Sequence, residues 1–420
     1  MPDETLARIR AENLGVYRAS RIRLKEDVSQ EDEVATNYRG RLVYELLQNA
    51  DDAMAGAPSA SDRITFRLTE SDLWVGNSGR PLSDADVAGL CGIGASSKSE
   101  ADGPRRATIG HKGMGFKSIL EITAEPQAIS EEHSFRLGAD LAYDEVAALF
   151  EDLEEGPPRK VPAMRFPHDL EEAPAYWEHL HEEGIRTLFR FPLRADLTEE
   201  VRSALAERLL GFRVTSILFL KHLERVDVEV DRNGERQSRS WRLRRERRAD
   251  AGWEFCTGLD TTGLYRVHIS ADESEATFVL AHDADIKIGG HRGGLTSQVW
   301  EGIELSEVSV AAQVKDGRPV PIHHDWRLLH VFLPTGESCP YPLLVNGAFA
   351  SDLSRRDVRV APVPDDYNRY LLRCAARVFR DELVSGRMGR PCPARARTSS
   401  SSGHPARIPQ RDGAAAGNGG

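Results

Sequence analysis

The chain is poor in cysteine and aromatic residues and has no long apolar run. Its five cysteines among 420 residues, Cys91, Cys256, Cys339, Cys374 and Cys392, are odd in number and form no CxxC pair. That argues against a disulfide framework and a zinc knuckle, and reduced thiols are expected. No stretch approaches the ~18 to 20 continuous apolar residues of a membrane span, so no membrane partner is expected. Met1, Pro2, Asp3 and Glu4 lack the basic-then-apolar layout of a secretory leader, and the cytoplasm is the expected address. Basic residues are outnumbered, 55 against 66 acidic ones, for a net charge of −11. Nucleic acid is therefore not expected as the main partner. What is there, 40% hydrophobic and 29% charged side chains, suits two or three domains.

Spacing of apolar residues predicts one helix over 32–55, carrying Leu42, Val43, Leu46, Leu47, Ala50 and Ala53. Ile64, Phe66 and Leu68 alternate with polar neighbours, and after a turn at Glu70 to Asp72 a partner strand begins at Leu73, Trp74 and Val75. A glycine-rich region over 89–115 follows, then helical spacing from Phe116 to Ile122 and an apolar strand from Thr187 to Phe191. After a helix near Thr198 to Leu210 the pattern turns to strands. Asn233-Gly234 is a two-residue hairpin signal that places Val226 opposite Trp241 and Asp231 opposite Arg236. A closing helix is expected over 366–384. This reading divides the chain into a first domain over 1–198, a second α+β domain over 199–388 and a tail over 389–420. The tail has one large aliphatic residue, Ile408, and is expected to be disordered.

Three motifs carry chemistry. In YELLQNADDA, Glu45, Asn49 and Asp52 at i, i+4 and i+7 fall within roughly 40° of one another around a helix. Spacing by itself favours a plainer reading, a solvated acidic face. In LWVGNSGRPL a strand ends at Asn77, Ser78 and Gly79, with the small residues of GIGASSKS, among them Ser97 and Lys98, further on; these could admit a purine ring. In IGHKGMGFKSI, Gly110, Gly113 and Gly115 leave backbone N–H groups open, and Lys112 and Lys117 add positive charge. A phosphate loop and an ordinary flexible loop fit that cluster equally. It is not GxxxxGK[ST], so a Walker-type loop is not supported.

The order of these motifs resembles the GHKL ATPases, the group containing the DNA gyrase B subunit, the large heat-shock chaperone, histidine kinases and MutL. YELLQNADDA resembles their N box, VGNSG their G1 box and GHKGMGFKS their G2 box. ELLQNADDA, the SSK element and the lysine-phenylalanine G2 box are most similar to the N-terminal ATPase regions of the sacsin and NO VEIN-like branch. GIRTLFRFPLR resembles the strand bearing the family threonine, and FLPTGESCPYPLLVNGAFASDLSRRDV resembles later FLP and NG-F-RR elements. The resemblance covers residues 35–360. It implies a Bergerat-type α/β sandwich, a mixed sheet with helices on one face, holding ATP between helix and lid. Glu45 would orient the attacking water as general base, and Asn49 would ligate Mg²⁺. Asp52, Gly79, Ser97, Lys98, Gly110, Lys112, Gly113, Gly115, Phe116 and Thr187 match nucleotide-binding positions, and Arg356 or Arg355 would reach the γ-phosphate from the second domain. Asn77 stands where the family usually has an adenine-reading aspartate. Its amide oxygen still accepts a hydrogen bond, at a cost of about 1 kcal/mol or less.

The expected function is Mg²⁺-dependent ATP binding with slow hydrolysis, a conformational switch in a sacsin-like, chaperone-type protein with an unidentified protein client. If closure depends on that partner or on a homodimer, turnover by the isolated chain is slow. The rivals are a non-hydrolysing nucleotide sensor and a DNA-associated GHKL machine. The second of these finds internal support in RSWRLRRERR, Arg239 to Arg248, although Trp241 and Leu243 more simply mark a half-buried strand. His323, His324 and Asp325 could ligate a metal, but adjacent histidines on an extended segment point opposite ways, so no site is expected there.

Overall fold

The structure is a computed structural model that describes residues 3–37, 40–56, 58–92, 115–151, 156–272, 274–295, 300, 302–352, 357–360 and 362–384. The expected tail over 389–420 lies outside the described residues.

Two helices not read from the sequence open the chain, α1 (Glu4–Ala19) and α2 (Arg21–Asn37). Asp3 caps the first, its carboxylate accepting from the N–H groups of Thr5 at 2.9 Å and Leu6 at 3.3 Å. The single helix expected over 32–55 is broken, because α2 stops at Asn37 and α3 runs over Leu42–Met54. Gly40, inside the break, has φ of +79°. That left-handed value is easy for glycine and strained for a residue with a β-carbon. Beyond the break, Leu42, Val43, Leu46, Leu47, Ala50 and Met54 of α3 are buried, each large side chain contributing about 1.5–3 kcal/mol.

β1 (Arg63–Leu68) and β2 (Asp72–Asn77) form the expected hairpin. α4 (Asp84–Cys91), a 3-10 helix over Gly115–Glu121, β3 (Gln127–Ser130), β4 (Ser134–Arg136), α5 (Ala139–Ala147), β5 (His168–Asp169), α6 (Ala175–Glu182) and β6 (Thr187–Pro192) follow. Next come α7 (Glu199–Leu210), α8 (Val214–Ile217), β7 (Arg225–Arg232), β8 (Glu235–Ala249), β9 (Gly252–Cys256), β10 (Gly263–Ala271), β11 (Ser274–Lys287) and β12 (Leu305–Lys315). β13 (Arg318–Val320), β14 (Leu328–Val331), β15 (Leu333–Ser338), β16 (Leu344–Gly347) and α9 (Tyr367–Val378) follow, and a π-helical segment over Phe379–Val384 continues α9. The Asn233-Gly234 turn has both residues at positive φ, 54° and 74°. It sets the expected register, Val226 opposite Trp241 and Asp231 opposite Arg236.

The protein is a mixed α/β fold on one large mixed sheet, ordered β15-β14-β16-β12-β11-β10-β8-β7-β1-β2-β6-β3-β4-β5. The sheet is continuous across residue 198 because β7 runs parallel to β1, with Ile64 beside Val226 and Phe66 beside Val228. Side chains at alternate positions of β1, β2, β6 and β7 pack beneath α3 and α7 in one core that includes Leu46, Leu47, Phe66, Val75, Phe189, Leu205 and Val228. α6 packs a separate cluster, Leu180 with Ile129, Ile185 and Leu188, where Tyr176 meets Trp74 edge-on at 5.5 Å. Among the described residues no helix is long and apolar enough to cross a membrane.

Candidate functional site

Three neighbouring strands end in a polar row under α3. Asn77 on β2 lies opposite Thr187 on β6, and Thr187 lies opposite Ser130 on β3. All three are buried, at 6%, 1% and 5% exposure. Side chains directly opposite on antiparallel strands share a face, so these three interrupt the apolar face formed by Val75, Phe189 and Ala128. Thr187 Oγ1 is 3.2 Å from Ser130 Oγ, and Ser130 Oγ also accepts from Leu82 N–H at 3.0 Å. Ser130 was not singled out from the sequence, where QAIS reads as an ordinary strand. Asn77 Oδ1 accepts from Gly79 N–H at 3.1 Å, folding the turn after β2 back against α3. A β-carbon on Gly79 would stand 2.7 Å from Ala53 Cβ, so glycine permits that approach. Arg80 N–H closes the junction by donating to Ala53 O at 2.9 Å.

α3 presents the expected stripe. Asn49 and Asp52 are half-buried, whereas Glu45 is buried at 3% exposure. Asp52 stands within electrostatic reach of Arg80, whose guanidinium grips Asp86. Glu45 is covered by the start of the 3-10 helix: a β-carbon on Gly115 would lie 2.6 Å from Glu45 Cδ. Glu45 Oε1 is buried and takes part in no hydrogen bond among the described residues. Arg41 Nε lies 4.0 Å from it, and Arg41 Nη1 donates to Pro334 O on β15 at 3.4 Å. One guanidinium thus links α3 to the second half of the sheet.

Asp51, beside the stripe, does something the sequence reading missed. It is fully buried and accepts three backbone N–H groups, from Lys221 at 2.9 Å and from His222 and Leu223 at 2.8 Å each. Burial raises its carboxyl pKa, opposed by His222 and these donors. The signal was available: Asp51 follows Leu47 by four residues and precedes Met54 by three, which puts a carboxylate on the apolar face of the helix.

Two expected positions have other surroundings. Phe116 is buried between Phe189 at 5.1 Å and Phe191 at 6.0 Å between ring centroids, anchoring the end of the glycine-rich region in the core. Lys117, read as a positive charge for phosphate, is fully buried; its Nζ donates to Gly92 O at 2.8 Å, where α4 ends. Burial pulls its pKa down to about 8, opposed by Glu31. Arg245, part of the basic strand weighed for nucleic acid, is also fully buried; it donates to Glu224 Oε1 at 2.8 Å and to the carbonyls of Leu220 and Leu223. Ser97, Lys98, Gly110, Lys112, Gly113, Arg355 and Arg356 lie outside the described residues.

The structure thus brings together Asn77 and Thr187 on the sheet and Glu45 and Gly115 at α3, with Gly79 packed on Ala53 near the helix end. No family model matches the chain. Over 195 residues, 46% of this chain, it is 27% identical to Protein NO VEIN of Arabidopsis thaliana. That stretch corresponds to 6% of the plant protein's length.

Proposed function

We propose that this chain binds ATP with Mg²⁺ and hydrolyses it slowly, as a GHKL-type conformational switch. The observation that carries this reading is Glu45, a buried carboxylate with one oxygen lacking any hydrogen bond among the described residues. A buried carboxylate oxygen without a donor is costly, and this one shares α3 with the half-buried Asn49 and Asp52. The surroundings fit the ligand. The buried Asn77–Thr187 pair offers an amide oxygen and a hydroxyl to the edge of a purine, and Gly79 and Gly115 keep backbone close to α3 where a β-carbon would collide. Asn49, half-exposed on the stripe, offers the hard amide oxygen that a magnesium ion accepts among its waters. Bound there, the ion would neutralise charge on the phosphates.

In this reading Glu45 holds the attacking water and accepts its proton. The 3% exposure of Glu45 under Gly115 makes displacement of the 3-10 helix a condition of turnover, which suits a slow enzyme. The Arg41 contact with Pro334 gives that movement a route to β15.

The same burial of Glu45 favours, as a second reading, a sensor that binds nucleotide without hydrolysis. Calorimetry with ATP, with and without Mg²⁺, and phosphate release by wild type and Glu45→Ala separate the cases. Unchanged binding with hydrolysis at least about 100-fold slower in Glu45→Ala supports the proposal. Binding without release in the wild type selects the sensor; no saturable ATP binding rejects both.

A further inference from the structure

We infer that His323, His324 and Asp325 form a binding site for one transition-metal ion of zinc's class, independent of the nucleotide site. An extended segment would point the two histidines opposite ways. Instead His323 precedes a 3-10 turn over His324–Trp326, which swings the two imidazoles onto the same side, 4.3 Å apart between centroids. His323 Nδ1 lies 3.5 Å from Asp325 Oδ2, and His324 Nε2 lies 3.1 Å from Asp325 Oδ1. One donor atom from each residue falls within 4.8 Å of the others, and among the described residues no other trio of His, Cys, Asp or Glu converges in this way.

These lengths are those of a coordination shell. Tetrahedral zinc with bonds of about 2.0–2.2 Å separates its donors by about 3.3–3.6 Å. The two measured separations end on different oxygens of Asp325, so a shared ion requires the His324 ring, 74% exposed, to rotate until both imidazoles meet one carboxylate oxygen at that spacing. The backbone beneath is pinned. Trp326 N–H donates to His323 O at 2.9 Å, and Arg327 Nε donates to Ile322 O at 2.7 Å. Arg213 Nη1 donates to Asp325 O at 3.3 Å, and its guanidinium lies 5.7 Å from the Trp326 ring centroid. Trp326 itself packs on the main core. A partly buried indole therefore roots a hydrogen-bonded turn whose three donors are exposed. Ion pairing does not explain the convergence, since exposed pairs contribute little.

Two imidazoles and a carboxylate suit Zn²⁺, Cu²⁺ or Ni²⁺, whereas Mg²⁺ prefers six oxygens. Water fills the fourth position. The turn adjoins a cavity of about 260 Å³ lined by Gly40, Tyr44, Arg213, Trp326 and His330, so an ion there stiffens two walls of the cavity at the start of α3.

The test is calorimetric titration of the full chain, stripped of metal, with Zn²⁺ as the probe and Co²⁺ as its spectroscopic substitute. One saturable Zn²⁺ event is expected, weakened at least about tenfold in His324→Ala and in Asp325→Asn, and absent with Mg²⁺. Co²⁺ should give tetrahedral d–d bands without thiolate charge transfer. All three residues are exposed, so unchanged melting of the variants certifies their fold. Zn²⁺ affinity undiminished in a folded His323→Ala/His324→Ala double variant overturns the site, as does wild-type protein that shows no saturable binding.

Discussion

Gly115 packs its Cα against the carboxylate of Glu45, at a separation that leaves no room for a methyl group. The contact joins the end of the glycine-rich region to the first turn of α3, and only glycine permits it. Gly115→Ala must therefore displace either the 3-10 helix or the carboxylate. Overpacking of this kind costs about 1–3 kcal/mol. The expected outcome is a folded protein with lowered melting temperature and impaired phosphate release, and Gly115→Ala in a Glu45→Ala background should recover part of the stability. Thermal melts of the two single variants and the double variant measure this.

Asp51 and Asp52 are neighbours with opposite duties. Asp51 gathers the N–H groups of Lys221, His222 and Leu223 into the core, while Asp52 is half-exposed on the stripe. Removing the Asp51 carboxylate strands three donors, so Asp51→Ala should lose at least about 3 kcal/mol in urea unfolding. Asp52→Ala should lose about 0.5 kcal/mol or less, with its effect appearing in nucleotide affinity instead.

The same division separates two adjacent arginines of β8. Arg245 is fully buried against Glu224, whereas Arg244 has a side chain 67% exposed beside Glu246. Truncating Arg245 leaves Glu224 buried without its partner and should cost about 3–5 kcal/mol. Arg244→Ala should stay within about 0.5 kcal/mol of wild type. A loss of DNA affinity in Arg245→Ala would thus report unfolding, and equal stability of the two variants would contradict the buried pairing.

Local chemistry made part of this architecture legible. Asn233-Gly234 dictates its turn, and alternation in β1 and β2 dictates their faces, so both hairpins follow from residues close in sequence. Asn77 stands out at a strand-end turn, whereas Thr187 is singled out only by the family resemblance. The rest depends on contacts distant in sequence. Asn37 and Gly40 are local stop signals, but apolar spacing alone runs through them. Lys117 reads as an open charge until α4 is seen to end at its ammonium. His323 and His324 diverge in a strand and converge in a 3-10 turn, a choice made by the packing of Trp326.

His330 supplies a pH dependence that the sequence does not suggest. Its ring is buried, with Nδ1 2.9 Å from Leu328 O and Nε2 3.2 Å from Thr215 O. Burial lowers its pKa from 6.5 to about 4, although both carbonyls favour the charged form. The unfolded chain therefore takes up the proton first. Stability from the neutral ring is fully present above about pH 6.5 and is lost as the pH falls through about 4, by an amount of order 3 kcal/mol. Urea unfolding across that window should show a steeper acid loss for wild type than for His330→Gln, whose uncharged amide keeps a donor for one carbonyl. Parallel profiles for the two proteins would mean that His330 does not titrate between folded and unfolded states, and that the acid sensitivity belongs to other groups such as His282, whose pKa burial also lowers.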